Sequence, residues 1–329
     1  MPSALEAPPS TRPVLLLGPQ RWNPVVGPAV RELLGGGELH AAVITAGWEE
    51  REHEDEELRE HLAESGISME NLRLFERAED AFREDPALLE KLIAHGSRLE
   101  ERQSLYRLRL AHLLDAARAL LARERPRDLP LLREEIRNEA IEDIRRLDEE
   151  HLRALLVEEE AAESAIRPFE HAAIRRHRDE LDRILARSRV LLIAGGHVLV
   201  LLRRLRLFGF ASELGPTGTL PLVAWSAGAM ATGERVVLFH DSPPQGPGNA
   251  EVLHAGFGAY RGLLPLPHAS HRLRLEDPVR VGLFARRFGP EVACAFDEGA
   301  RVRFDGGRAN FAPGSRLLRA DGNIEETRP

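Results

Sequence analysis

Residues 221–230 read Pro-Leu-Val-Ala-Trp-Ser-Ala-Gly-Ala-Met. A short apolar strand runs into a serine flanked by small residues, with a helix start behind it. This is the small-x-Ser-x-Gly pattern of a nucleophile elbow. Small side chains at Ala224 and Gly228 suit a tight turn, which points the Ser226 hydroxyl outward and leaves the N–H of Ala227 free to stabilise an oxyanion. A serine attacks a carbonyl at neutral pH only with a base in reach, most often a histidine. His268 follows an apolar run that stops at Pro267, so it opens a loop just past a strand end, where open α/β sheets place their ligand crevice. His271, three residues on, is the reserve candidate. Asp241 follows the apolar run Val236–His240 and is the expected orienting acid. The order Ser…Asp…His matches other α/β enzymes with a nucleophile elbow. Gly195-Gly196, at the end of a further apolar run, offers backbone N–H groups as the second oxyanion donor.

These residues need a sheet to position them. Val14–Gly18, Ala41–Gly47, Val190–Gly196 and Pro221–Trp225 are short apolar runs of the kind found in strands covered on both faces. Helices are expected across Val25–Leu34 and Leu58–Ser65, and a third strand across Asn71–Phe75. The alternation implies an α/β domain with a doubly wound, mostly parallel sheet, assigned to residues 14–78 and 179–329. Asp-Gly turns after Phe296 indicate C-terminal β-hairpins. Residues 79–178 lack a strand signal and are rich in Leu, Glu, Arg and Ala. They read as a long helical insertion with a turn near Pro126 and Pro130. Its apolar stripes need a partner, so it is a possible route to a homo-oligomer. Its Asp148, Glu149, Glu150, His151, Glu170, His171 and His177 read as a charged, solvated face and not as a metal site. Residues 1–13 read as a disordered tail without the cationic start and apolar stretch of a signal peptide.

The chain has 329 residues, 30% of them charged, and a net charge of −8. That balance argues against nucleic acid as a partner. No apolar run is long enough to span a membrane, so a cytoplasmic protein is expected. Lys91 is the sole lysine, as the codon usage of a GC-rich bacterial genome would produce. Cys294 is the sole cysteine. It sits in an apolar strand-like run, which leaves no intrachain disulfide and no Cys-based metal site. A Cys-dependent glutamine amidotransferase is disfavoured for the same reason, because Cys294 is not at an elbow.

Three segments, Leu192–Leu205, Val223–Met230 and Gly262–Arg272, together resemble the cyanophycinase and dipeptidase E (α-aspartyl dipeptidase) group of serine peptidases. Ala295–Ala300 and Pro313–Ser315 resemble the C-terminal hairpins of cyanophycinase. The resemblance implies a class I glutamine amidotransferase-like, flavodoxin-like fold. It implies Ser226 as nucleophile, His268 as base, Gly196 with Ala227 as the oxyanion hole, and Asp241 at the place of the dipeptidase acid. It implies no cofactor and no metal. The chain departs from the pattern at Leu266, where cyanophycinases commonly carry Asp. It departs again in the loop Ala194-Gly195-Gly196-His197, where relatives often show three glycines and then Asn, and in the helical insertion.

The expected function is that of a serine hydrolase, acting on a small peptide or amide through a Ser-His-Asp triad and an acyl-enzyme. The alternative is a catalytically silent protein of the same fold whose insertion binds a protein partner or forms a dimer.

Overall fold

The computed structural model describes residues 12–122, 130–243 and 248–328. In chain order the first elements are β1 (Val14–Leu17), α1 (Val26–Leu34), β2 (Leu39–Ile44), α2 (Glu56–Glu64), β3 (Ile67–Asn71) and α3 (Leu74–Glu84). Two long helices follow, α4 (Pro86–Ala122) and α5 (Pro130–Ile166). Then come α6 (Ala172–Arg187), β4 (Val190–Ile193), α7 (Val198–Leu207), α8 (Ala211–Leu214), β5 (Leu222–Trp225) and α9 (Ala227–Thr232). The chain continues through β6 (Arg235–Leu238), β7 (Glu251–Ala255), β8 (Leu263–Pro267), α10 (Ala269–Arg272), α11 (Pro278–Phe288) and β9 (Val292–Phe296). It closes with β10 (Arg301–Asp305), β11 (Arg308–Phe311), β12 (Arg316–Leu318) and β13 (Ile324–Glu326).

The central sheet has seven strands in the order β11-β10-β1-β5-β4-β2-β3. Five of them, from β1 to β3 in that order, run parallel. The antiparallel hairpin β10–β11 closes the β1 side. Side chains alternate across the strands, and both faces are apolar. Leu15, Leu17, Val43, Leu192 and Val223 pack with Val26, Val30 and Leu62 on one side. Leu16, Ile44, Leu191, Ile193 and Ala224 join a larger core on the other, with Ala78, Leu181 and Leu201. Helices therefore cover both faces, and the continuous apolar runs in the sequence follow from that.

In the sheet β1 lies between β5 and β10, while β3, β2, β4 and β5 follow one another in the 2-1-3-4 order of part of a flavodoxin-like sheet. One correction concerns the third strand. It spans Ile67–Asn71, and the expected strand at Asn71–Phe75 is instead a turn leading into α3. Glu52 accounts for the switch: its Oε2 accepts the N–H groups of Phe75 (2.8 Å) and Glu76 (3.0 Å) and so caps the first turn of α3. Arg12, expected in the tail, is buried, and its guanidinium donates to the carbonyls of Leu214 and Gly215.

Helices α4 and α5 pair, and α5 also packs on β7 and α11. The turn expected near Pro126 lies outside the described residues. Lys91 stands exposed on α4. The acidic and histidine residues here do not form a solvated face throughout. Asp148 is buried, and both its oxygens accept from the Arg287 guanidinium at 2.7 Å. Tyr106 donates to the same carboxylate, also at 2.7 Å, and stacks on His151. His171 bonds to Asp85 and His177 to Arg77. Among the described residues no group of three acidic, His or Cys side chains could hold a metal ion. Burial opposes the charge on Arg287, but Asp148 outweighs it and holds the guanidinium pKa above its ordinary value. Breaking one side of a buried pair strands the other charge, at a cost of about 3–5 kcal/mol. Asp148→Asn is therefore expected to lower unfolding stability by about that amount, measured by urea titration, whereas Glu149→Gln on the exposed side leaves it nearly unchanged.

Candidate active site

The C-terminal ends of β1, β4, β5, β8 and β9 converge. Ser226 follows β5 with φ 51° and ψ −122°, a backbone conformation that L-residues rarely adopt. Its N–H donates to the Leu17 carbonyl at the end of β1 (3.2 Å). Gly18, the next residue, donates to the Ala300 carbonyl (2.8 Å), which brings in the segment after β9. His268 follows β8, also with positive φ (59°), and its N–H donates to the Phe296 carbonyl at 3.3 Å. Strand pairing sets this last link, since β8 and β9 are parallel neighbours with Pro267 opposite Phe296.

The turn around Ser226 has no room for larger flanking side chains. A Cβ on Gly195 would lie 2.8 Å from the Ser226 Cβ and 3.1 Å from its Oγ. A Cβ on Gly228 would collide with the Ile193 carbonyl. The same crowding places Gly195 beside the Ala227 nitrogen, 3.4 Å from that hypothetical Cβ. Ala227 opens α9, so its N–H has no partner within the helix. Gly196 has φ 120° and packs on Gly47. His197 donates its N–H to the Gly47 carbonyl (2.7 Å) and caps α7 through its side chain. Among the described residues, nothing accepts the N–H of Gly196 or Ala227. The loop thus leaves two unpaired donors beside the Ser226 turn, as an oxyanion hole requires.

His268 is partly buried. Burial and the neighbouring Arg272 lower its pKa, against the opposing pull of Asp297, and His271 adds to the lowering. Among the described residues neither its ring nor the Ser226 hydroxyl has a hydrogen-bond partner. The Arg272 side chain also has no acceptor there, and burial lowers its own pKa.

Asp241, the expected orienting acid, makes no hydrogen bond to His268 among the described residues. Its backbone N–H donates to the Arg272 carbonyl (2.8 Å). Its carboxylate is engaged elsewhere: Oδ2 accepts the Arg274 N–H at 2.7 Å, and Oδ1 accepts from the Arg280 guanidinium. Loop order alone pointed to Asp241, but the loop folds towards α11. The carboxylate whose charge reaches His268 belongs to Asp297, at the end of the strand next to β8. Asp297 accepts from the Ser270 N–H (3.1 Å) and hydroxyl (2.9 Å), and from Arg316. Its signal in the sequence was the polar residue ending the apolar run Val292–Phe296.

Two further groups line this end of the sheet. Glu49, after β2, has φ 60° and ψ −129°, and its Oε1 stands 4.0 Å from the His197 Nδ1. Trp22, after β1, is 81% exposed beneath the Arg21 guanidinium.

No family model matches the chain. No curated protein matches it either. Among solved structures, a crystal structure of a peptidase from an acI-B1 Actinobacterium aligns over 97% of this chain and 94% of that one, at 13% identity and a TM-score of 0.47. Likeness that loose leaves the chemistry of this chain to its own geometry. Among the described residues no helix is long and apolar enough to cross a membrane.

Strained backbone at an elbow costs about 1–3 kcal/mol. Ser226→Gly is expected to relieve part of that and raise the unfolding free energy by up to about 1 kcal/mol, after the extra chain entropy of glycine is subtracted. Ser226→Ala, which keeps a Cβ, is expected to give no such gain when both are compared by chemical denaturation.

Proposed function

We propose that this chain is a serine hydrolase of peptidase or amidase type, related in mechanism to cyanophycinase and dipeptidase E and built on a class I glutamine amidotransferase-like fold. The observation that carries the reading is the positive-φ Ser226, held against Gly195 beside two unpaired backbone donors. In this reading the Ser226 Oγ attacks the scissile carbonyl carbon while His268 takes its proton. The carbonyl oxygen becomes an oxyanion and accepts from Gly196 and Ala227. His268 then returns the proton to the leaving amine, and an acyl-enzyme remains. A water molecule, deprotonated by His268, releases the acid and restores Ser226. Asp297 takes the orienting role first expected of Asp241, and a turn of the His268 side chain towards Ser226 completes the relay when substrate binds. The lowered His268 pKa keeps the ring neutral, and so able to accept a proton, to more acidic pH than an ordinary histidine. His271 stays the reserve base. The substrate expected is a small peptide or amide in the cytoplasm.

The silent alternative has one observation of its own. Leu105 and Leu108 on α4, and Leu156 and Val157 on α5, are exposed on the insertion. The two readings separate in a labelling experiment with a fluorophosphonate probe. The hydrolase reading expects covalent labelling that Ser226→Ala abolishes, and a fall of about 10⁶ in kcat for that variant once a substrate is found. It expects the labelling rate to drop as the pH falls, with a midpoint below the ordinary histidine value of 6.5. No labelling, or labelling that persists in Ser226→Ala, would support the silent protein.

The same assay ranks the acids. Asp297→Asn is expected to slow labelling by about 10³–10⁴, as the loss of a triad acid does, while Asp241→Asn changes it less than about tenfold. The reverse ranking would return the role to Asp241.

A further inference from the structure

A cavity of about 50 Å³ opens between α4, α11 and the segment that follows α10. Its walls include Leu114, Leu273, Leu283, Phe284 and Leu318. Its polar groups are unbalanced. Arg118, Arg274 and Arg280 line it with Asp241 as the one carboxylate among its described lining residues, since Arg287 is taken up by Asp148. Asp241 already accepts from Arg280 and from the Arg274 backbone. Arg118 reaches Asn249 and Asp115 with its terminal nitrogens, but its Nε is buried without an acceptor. The Arg274 side chain has no partner among the described residues. Burial, and then the nearby Arg280, lower the Arg118 pKa against the opposing pull of Asp115 and Asp241.

The leucines and Phe284 along its wall suit an alkyl group, which contact there removes from water. A guanidinium with unmet donors favours a carboxylate, whose two oxygens match its planar fork. At 10–15 Å³ for each water-sized sphere, the cavity holds on the order of four heavy atoms, the size of an isobutyl group. We infer that this cavity binds a short branched aliphatic carboxylate, with its alkyl end among the leucines and its carboxylate against Arg118 and Arg274. The site is separate from the proposed hydrolytic crevice and does not depend on it. It does share a wall with it: Leu273 to Leu275 continue the chain from His268 through α10, and Asp241 bonds to the Arg272 carbonyl.

The test is a titration of the full chain with isovalerate, followed by calorimetry and by methyl NMR of the leucine and valine side chains. Saturable binding is expected, with the largest shifts at Leu283 and Leu318. Isovaleramide, which keeps the shape without the charge, and acetate, which keeps the charge without the tail, are each expected to bind at least tenfold more weakly. Arg274→Gln, an exposed change with little effect on folding, is expected to weaken isovalerate at least fivefold. Ser226→Ala is expected to leave it unchanged, which distinguishes this site from binding in the crevice. Absence of saturable binding, equal affinity for the amide or for acetate, or shifts confined to residues around Ser226 would overturn the proposal.

Discussion

A turn with no space for side chains on its flanks organises the centre of this molecule. Gly195 and Gly228 stand where any Cβ would press on Ser226 or on the Ile193 carbonyl. The ends of β4 and β5 can therefore meet, and the N–H of Ser226 can reach the end of β1. From that junction the chain builds outward: β1 carries the antiparallel hairpin, and Gly18 ties in the segment after β9. The chemistry of the site and the closure of the sheet rest on the same close approach. Strain at one serine is tolerated because five strands surround it with fully buried apolar side chains, and their packing outweighs a cost of about 1–3 kcal/mol.

Much of this arrangement was legible in the residues. Runs such as Val14–Leu17 and Val190–Ile193 are apolar without interruption because the sheet is covered on both faces. A local pattern also sufficed for the elbow, since its geometry is set within a few residues of Ser226. What the sequence could not carry was pairing between distant strands. Asp241 and Asp297 look alike from the chain, each a polar residue after an apolar run. Only the parallel pairing of β8 with β9 sets Asp297 beside His268, while the loop holding Asp241 is drawn off by Arg280. The error at Asn71–Phe75 has a similar origin. Its alternation suits a strand, but a carboxylate about twenty residues earlier, on Glu52, caps the backbone as a helix.

The helical insertion shows the same limit at larger scale. Its leucines announced two long helices, and its charged residues suggested a face turned to water. Instead Asp148, Tyr106, His151 and Gln103 form a buried polar seam against Arg287 and the β7 backbone. His254, Glu159 and Arg206 form a second such seam near the far end of α5. Polar residues that would be solvated on an isolated helix thus set the orientation of the insertion on the body. Each donor and acceptor in the seam has to find its partner, so the fit is specific in a way that leucine packing alone is not.

The single lysine of the chain carries a practical consequence. Lys91 is exposed on α4, and every other side-chain cation that does not titrate near neutrality is a guanidinium. Amine-directed reagents therefore meet one side chain and the chain terminus. A dye, crosslinker or surface tether coupled through a lysine has one address, on the helical arm, and leaves Ser226 unmodified. Cleavage after lysine likewise divides the chain once, whereas cleavage after arginine cuts it into many short pieces.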